Sequence, residues 1–232
     1  MEGQSVAERL NAVREAIASA EARYGRQPGS VELLAVSKTK PLELVREAIA
    51  AGQQAFGENQ LQDALTKIEP LAGKALNWHF IGPVQSNKTR PIASQFDWVH
   101  SIDRLKIAER LSEQRPDGAA ALNVCVQFNV SGEASKSGVN FGELGTLCQA
   151  VHALPNVNLR GLMAIPAPTP DEAVQRATFA AVREAQDELN AQGLRMDTLS
   201  MGMTDDLGAA IAEGATMVRI GTAIFGARAK RV

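Results

Sequence analysis

Lys38 closes the apolar run Leu33-Leu34-Ala35-Val36-Ser37, which puts a primary amine at the end of a short buried strand. A lysine whose stem lies against an apolar rim is partly desolvated. That lowers its pKa and raises the share of nucleophilic free amine, the form that makes Schiff bases. On its own, Lys38 reads first as a solvated loop charge. Two later segments bear on the choice. Ser200-Met201-Gly202-Met203-Thr204-Asp205-Asp206 and Arg219-Ile220-Gly221-Thr222 each follow or end an apolar run. Gly202 and Gly221 allow backbone N–H groups to approach an anion, and Ser200 and Thr222 add hydroxyl donors. They read as a phosphate cradle or as turn glycines and caps. Thr204 followed by two aspartates has the pattern of an N-cap with acids in the first turn, so a phosphate is expected against Ser200, Gly221 and Thr222 instead.

An amine beside a phosphate cradle suits a phosphorylated aldehyde cofactor, pyridoxal 5'-phosphate. Arg219 then has two readings. Its guanidinium could donate to the cofactor's pyridine nitrogen and weaken the ring as an electron sink, or it could pair with a buried carboxylate such as Glu58. Asn59, in Gly57-Glu58-Asn59, is placed to hydrogen-bond ring substituents. His79 alternates with Trp78 and Phe80, which points it into the interior, as a core histidine or as a binding group. Lys136, in Ser135-Lys136-Ser137-Gly138, is a second amine that reads as a solvated loop residue or a transient aldehyde acceptor. No metal-ligand spacing occurs, and Cys125 and Cys148 both fall in apolar patterns that predict buried, structural thiols.

These residues need a scaffold that gathers strand ends. Apolar runs at 33–37, 54–57, 78–82, 97–101, 122–130, 159–165, 198–200 and 217–220 alternate with helical stretches. Eight such units predict a closed parallel (β/α)8 barrel spanning 1–232 as one domain, with a doubly wound open sheet as the runner-up. Sites in such barrels sit where strands end, and the first and eighth strands are neighbours, so Lys38 falls beside Arg219 and Gly221. Ahead of the first strand, Val6, Leu10, Val13, Ile17, Ala20 and Tyr24 recur at helical spacing. Pro41 is expected at the first position of the next helix, which ends near Gly52, and the polar segment Gln85-Ser86-Asn87-Lys88 opens another.

Of 232 residues, 24 are basic and 26 acidic, for a net charge of −2, and no charge tract marks a nucleic-acid arm or membrane anchor. No span-length apolar stretch and no signal-like N-terminus is present, so the expected location is cytoplasmic. The expected state is a monomer.

Leu34-Ala35-Val36-Ser37-Lys38-Thr39-Lys40, Phe56-Gly57-Glu58-Asn59, Trp78-His79-Phe80-Ile81-Gly82, Ser135-Lys136-Ser137-Gly138, Gly161-Leu162-Met163, Leu199-Ser200-Met201-Gly202-Met203 and Arg219 through Gly226 follow in order. In this series the chain resembles the pyridoxal phosphate homeostasis protein family. The resemblance implies a fold-type III barrel like the N-terminal domain of alanine racemase. It also implies Lys38 as the Schiff-base lysine and a carrier or buffer of the cofactor, with apo-enzymes that use the cofactor as partners. Gln60 departs from the family's usual tyrosine and Thr204 from a common serine; neither touches Lys38, Arg219 or the phosphate donors.

A racemase-like enzyme is the alternative, but it needs a second acid/base opposite the lysine. Tyr24 is the only tyrosine and precedes the first strand, and 221–232 is too short for a further β domain. A Schiff-base aldolase is less favoured and would be colourless. An interaction module that makes no use of Lys38 ranks last.

Overall fold

The computed structural model describes residues 4–133 and 137–227. Helix α1 (Val6–Arg23) starts at a reciprocal cap: the Glu8 N–H donates to Ser5 Oγ at 3.2 Å and the Ser5 N–H to Glu8 Oε2 at 2.7 Å. Val6, Leu10, Val13 and Ile17 bury its apolar stripe. Eight strands follow: β1 (Glu32–Val36), β2 (Ala55–Glu58), β3 (Asn77–Phe80), β4 (Trp98–Ile102), β5 (Leu122–Gln127), β6 (Val157–Met163), β7 (Thr198–Ser200) and β8 (Met217–Ile220). Between them run α2 (Leu42–Ala50), α3 (Leu61–Ile68), α4 (Thr89–Gln95), α5 (Leu105–Glu113), α6 (Phe141–His152), α7 (Glu172–Ala191) and α8 (Leu207–Ala212), and α9 (Thr222–Phe225) follows β8. The strands pair in parallel in chain order, and β8 closes onto β1, so the sheet is the expected closed barrel and not an open one.

Period-two alternation sorts each strand into an inward and an outward set. Leu34, Ala55 and Met217 form a small inner cluster with Ile81, apart from the main core between barrel and helices, which takes Leu33, Ala35 and Phe56. Counting by twos from the inner cluster gives Leu34, Val36 and Lys38 on β1 and its end. On β8 it gives Met217, Arg219 and Gly221, and on β2 Ala55, Gly57 and Asn59. The register of β1 against β8 pairs Leu34 with Arg219, and that of β1 against β2 pairs Val36 with Gly57.

Three local expectations change. Pro41 is the N-cap of α2 and not its first residue, with extended backbone at ψ 154°. The fifth strand stops at Gln127, after which Phe128 keeps only an isolated bridge to Val139. Thr204 does not cap a helix with its hydroxyl. It opens a 3-10 turn (Thr204–Asp206) in which the Asp206 carboxylate accepts the Met203 N–H at 2.6 Å, because the carboxylate three residues on reaches that donor; α8 starts after it. The segment at Gln85 does lead through a 3-10 turn (Ser86–Lys88) into α4.

Candidate functional site

Lys38 is half-buried in the turn that leaves β1. The residue before it is held on all sides: the Ser37 N–H donates to Gly57 O at 3.0 Å, Ser37 Oγ donates to Glu58 Oε1 at 2.6 Å, and Ser37 O accepts from the Lys40 N–H at 3.0 Å and from Lys67 Nζ at 2.9 Å. The residue after it, Thr39, has a positive φ of 63° and donates its N–H to Asp63 Oδ2 at 2.8 Å. Lys67, 1% exposed, also donates to Glu58 Oε1 and Asp63 Oδ2, each at 2.8 Å. Burial pushes the Glu58 carboxyl up to about 7 against the pull of Lys67.

Arg219 lies inside the barrel, 5% exposed. One terminal nitrogen donates to Ser200 O at 2.5 Å and Ser200 Oγ at 2.8 Å, and the other to Ala164 O at 2.8 Å. Burial lowers its pKa to about 10, with Asp206 pulling the other way. The pairing of Arg219 with Glu58 is not what forms. Glu58 is on the outward register of β2 with Lys67, and the barrel wall separates it from Arg219.

From Ser200 the polar chain continues inward. His100 Nδ1 is 2.8 Å from Ser200 Oγ, and His100 Nε2 is 2.9 Å from His79 Nδ1. A guanidinium only donates, so the Ser200 hydroxyl accepts from Arg219, and its second lone pair or its own proton meets His100 Nδ1 according to the imidazole tautomer. The one proton between His100 Nε2 and His79 Nδ1 is set by the same tautomer, and in either case His79 Nε2 is a buried atom with no partner among the described residues. Burial lowers the His79 pKa to about 3 and that of His100 well below its ordinary value, so both are neutral. His79 is thus a core histidine, half satisfied, and stacks on Trp98 at 5.3 Å.

The remaining candidates divide. Asn59 is half-buried, and its side-chain carbonyl is buried with no partner among the described residues. A side chain at Gly82 would collide with the Asn59 backbone carbonyl, so that glycine is what lets the Asn59 loop close over β3. Gly202 is buried with φ 98°, and its carbonyl accepts the Arg219 N–H at 2.9 Å. Gly221 is half-buried and Thr222, exposed, opens α9. The Ser200 hydroxyl, expected among the phosphate donors, is fully buried and occupied by Arg219 and His100. Lys136 lies outside the described residues. Two further residues of this network, His100 and Lys67, carry no motif in the sequence. His100 shares the inward face of β4 with Trp98 two residues before it, a parity signal that was there to use. Lys67, on a helix, gave none.

A groove of about 740 Å³ lies elsewhere, lined by Tyr24, Pro166, Pro168, Glu172, Met203 and Asp205 among others, and neither Lys38 nor Arg219 lines it. Tyr24 stands there, its hydroxyl 3.5 Å from Glu172 Oε1, on the helical layer and away from Lys38.

The alanine racemase N-terminal domain model matches residues 9–229. The pyridoxal phosphate homeostasis protein of Pseudomonas aeruginosa is 63% identical over 224 residues, covering 97% of this chain and 96% of that protein. This chain belongs to the pyridoxal phosphate homeostasis protein family. Its Escherichia coli member is 52% identical, covering 96% of this chain and 97% of its own. Among solved structures, PipY of Synechococcus elongatus, described with PLP bound, superposes with a TM-score of 0.84 at 38% identity, covering 96% of this chain and 100% of PipY. Alanine racemase from Corynebacterium glutamicum, 19% identical with a TM-score of 0.71 over 94% of this chain and 62% of its own, shares the fold.

Proposed function

We propose that this chain holds pyridoxal 5'-phosphate as a reversible Schiff base on Lys38 and carries or buffers it, releasing it to apo-enzymes and competing amines without turnover of its own. The observation that carries the reading is the placing of Lys38, Arg219, Gly221 and Asn59 on the inward registers of three adjacent strands, β8, β1 and β2. The donor set suits the cofactor. Arg219, a fixed cation with no ion pair among the described residues, is placed to donate to the pyridine nitrogen. The unpartnered Asn59 carbonyl suits a ring hydroxyl, and Gly202, Gly221 and Thr222 suit the phosphate. Ser200 belongs to the site through Arg219, which it holds, and His79 only by way of His100 and Ser200. When bound, the cofactor supplies an aldehyde that condenses with an amine with loss of water; a competing amine that replaces Lys38 carries it away.

Support for a carrier over a racemase comes from Tyr24, bonded to Glu172 on the outer layer and so removed from Lys38. The purified protein's absorbance before and after borohydride, followed by peptide mass mapping, tests the reading. A near-visible band that collapses on reduction, with the adduct on Lys38 and no band in Lys38→Ala, is expected. A colourless protein that gains no band with added cofactor overturns it and brings the aldolase forward.

A further inference from the structure

Thr39 is a β-branched residue in the left-handed region, where such residues are outliers held at an energetic cost. With the Lys40 N–H donating to Ser37 O at 3.0 Å, residues 37–40 form a reverse turn. In turns whose third residue takes positive φ, that place ordinarily goes to glycine or asparagine. Something outside the turn therefore holds Thr39, and it is in view: Asp63 Oδ2 accepts the Thr39 N–H at 2.8 Å, and Asp63 is fixed by Lys67 at 2.8 Å. The ammonium's three protons go to Ser37 O, Glu58 Oε1 and Asp63 Oδ2, at 2.9, 2.8 and 2.8 Å. One buried cation thus grips the backbone immediately before Lys38 and, through Asp63, the backbone immediately after it.

We propose that Lys67 is a positioning residue of the Lys38 site, which clamps the strained Ser37–Lys40 turn so that Lys38 leaves β1 toward the barrel mouth. The proposal rests on Lys38 as the reactive amine but not on the identity of the aldehyde. A buried ammonium is a costly way to fill space between a strand and a helix, where an apolar side chain of similar length would be accommodated more favourably. Its three directed bonds are what an apolar side chain lacks.

The experiment compares wild type, Lys67→Met and Lys67→Met/Thr39→Gly. In Lys67→Met the Glu58 carboxyl, already pushed up to about 7, takes a proton instead of standing as an unpaired buried charge. Folding is checked by circular dichroism. Two readouts are used: the affinity for pyridoxal 5'-phosphate, and, in the cofactor-free chain, trace acetylation of Lys38 relative to the exposed Lys106 by mass spectrometry. Lys67→Met is expected to weaken binding about tenfold, ~1.4 kcal/mol, and to bring the Lys38-to-Lys106 labelling ratio toward one. Glycine adopts positive φ without strain, so Thr39→Gly is expected to restore both readouts most of the way, which simple loss of stability would not allow.

A folded Lys67→Met with wild-type affinity and labelling overturns the proposal, as does a double variant that restores neither. If Lys67→Met does not fold, Asp63→Ala, at a part-exposed position, cuts the Thr39 arm alone, and unchanged labelling there is equally fatal. A wild type that takes up no cofactor removes the proposed function, while the acetylation ratio still decides the clamp.

Discussion

Arg219 and Ser200 are joined twice, the guanidinium donating to both the carbonyl and the hydroxyl of Ser200, at 2.5 and 2.8 Å. The two residues lie on neighbouring strands, so the bonds tie β7 to β8 at the level where the barrel opens and fix the plane of the guanidinium. A charge-assisted hydrogen bond is worth about 1.5–3 kcal/mol. Arg219→Gln is therefore expected to weaken cofactor affinity by roughly one to two orders of magnitude and, under the proposed placing of the guanidinium at the pyridine nitrogen, to shift the near-visible band. Equilibrium dialysis and absorbance spectra check both; an unchanged spectrum would take Arg219 away from the ring.

His79 gives the barrel an acid-side weakness. Its folded pKa is lowered to about 3 by burial, whereas in the unfolded chain it returns to about 6.5. Below pH 6.5 the unfolded state takes up a proton that the native state refuses, so stability is complete above 6.5 and declines as pH falls toward 3. His100, lowered in the same direction, adds to the decline. Urea denaturation at several pH values is expected to show a shallower fall between pH 6.5 and 4 in His79→Gln than in wild type. Parallel curves would mean that other groups set the acid limit.

The parity of the strands made much of this legible. Lys38, Arg219, Gly221 and Asn59 each lie an even number of residues from a buried inner side chain, so an eight-unit barrel was enough to bring them to one end. The same parity rules out the Arg219–Glu58 pair, since Asn59 facing in puts Glu58 facing out. What the sequence hid depends on contacts between distant elements. Lys67 lies on α3, at a position whose helical spacing marks it as neither core nor surface, and only the approach of α3 to the end of β1 gives its ammonium three acceptors. The positive φ of Thr39 was likewise invisible, because the residue type argues against it and a side chain 24 positions away maintains it. The Ser200 hydroxyl looked like a phosphate donor for want of His100, which competes for it from across the barrel.

Both cysteines are buried, and burial pushes each thiol up to about 12. The thiolate is the reactive species. Neither Cys125 nor Cys148 is expected to react with a thiol reagent such as dithionitrobenzoate while the chain is folded, and both are expected to react in denaturant. A fast-reacting thiol under native conditions would show that the barrel interior or the α6 layer opens more readily than its packing implies.

Gly82 separates the two roles assigned to the β2 end. An added methyl would meet the Asn59 backbone carbonyl and force that loop outward, yet the clamp on Lys38 runs through Ser37, Lys67 and Asp63 and does not touch Gly82. Gly82→Ala is therefore expected to lower cofactor affinity through displaced Asn59 while leaving the acetylation of Lys38 in the cofactor-free chain near its wild-type rate. The displaced Asn59 carbonyl would lose one hydrogen bond to the ligand, about 0.5–1.5 kcal/mol, or a few-fold to about tenfold in affinity. If affinity and Lys38 labelling fall together, the Asn59 loop and the lysine turn move as one unit, and Asn59 would then act on the cofactor only by way of Lys38.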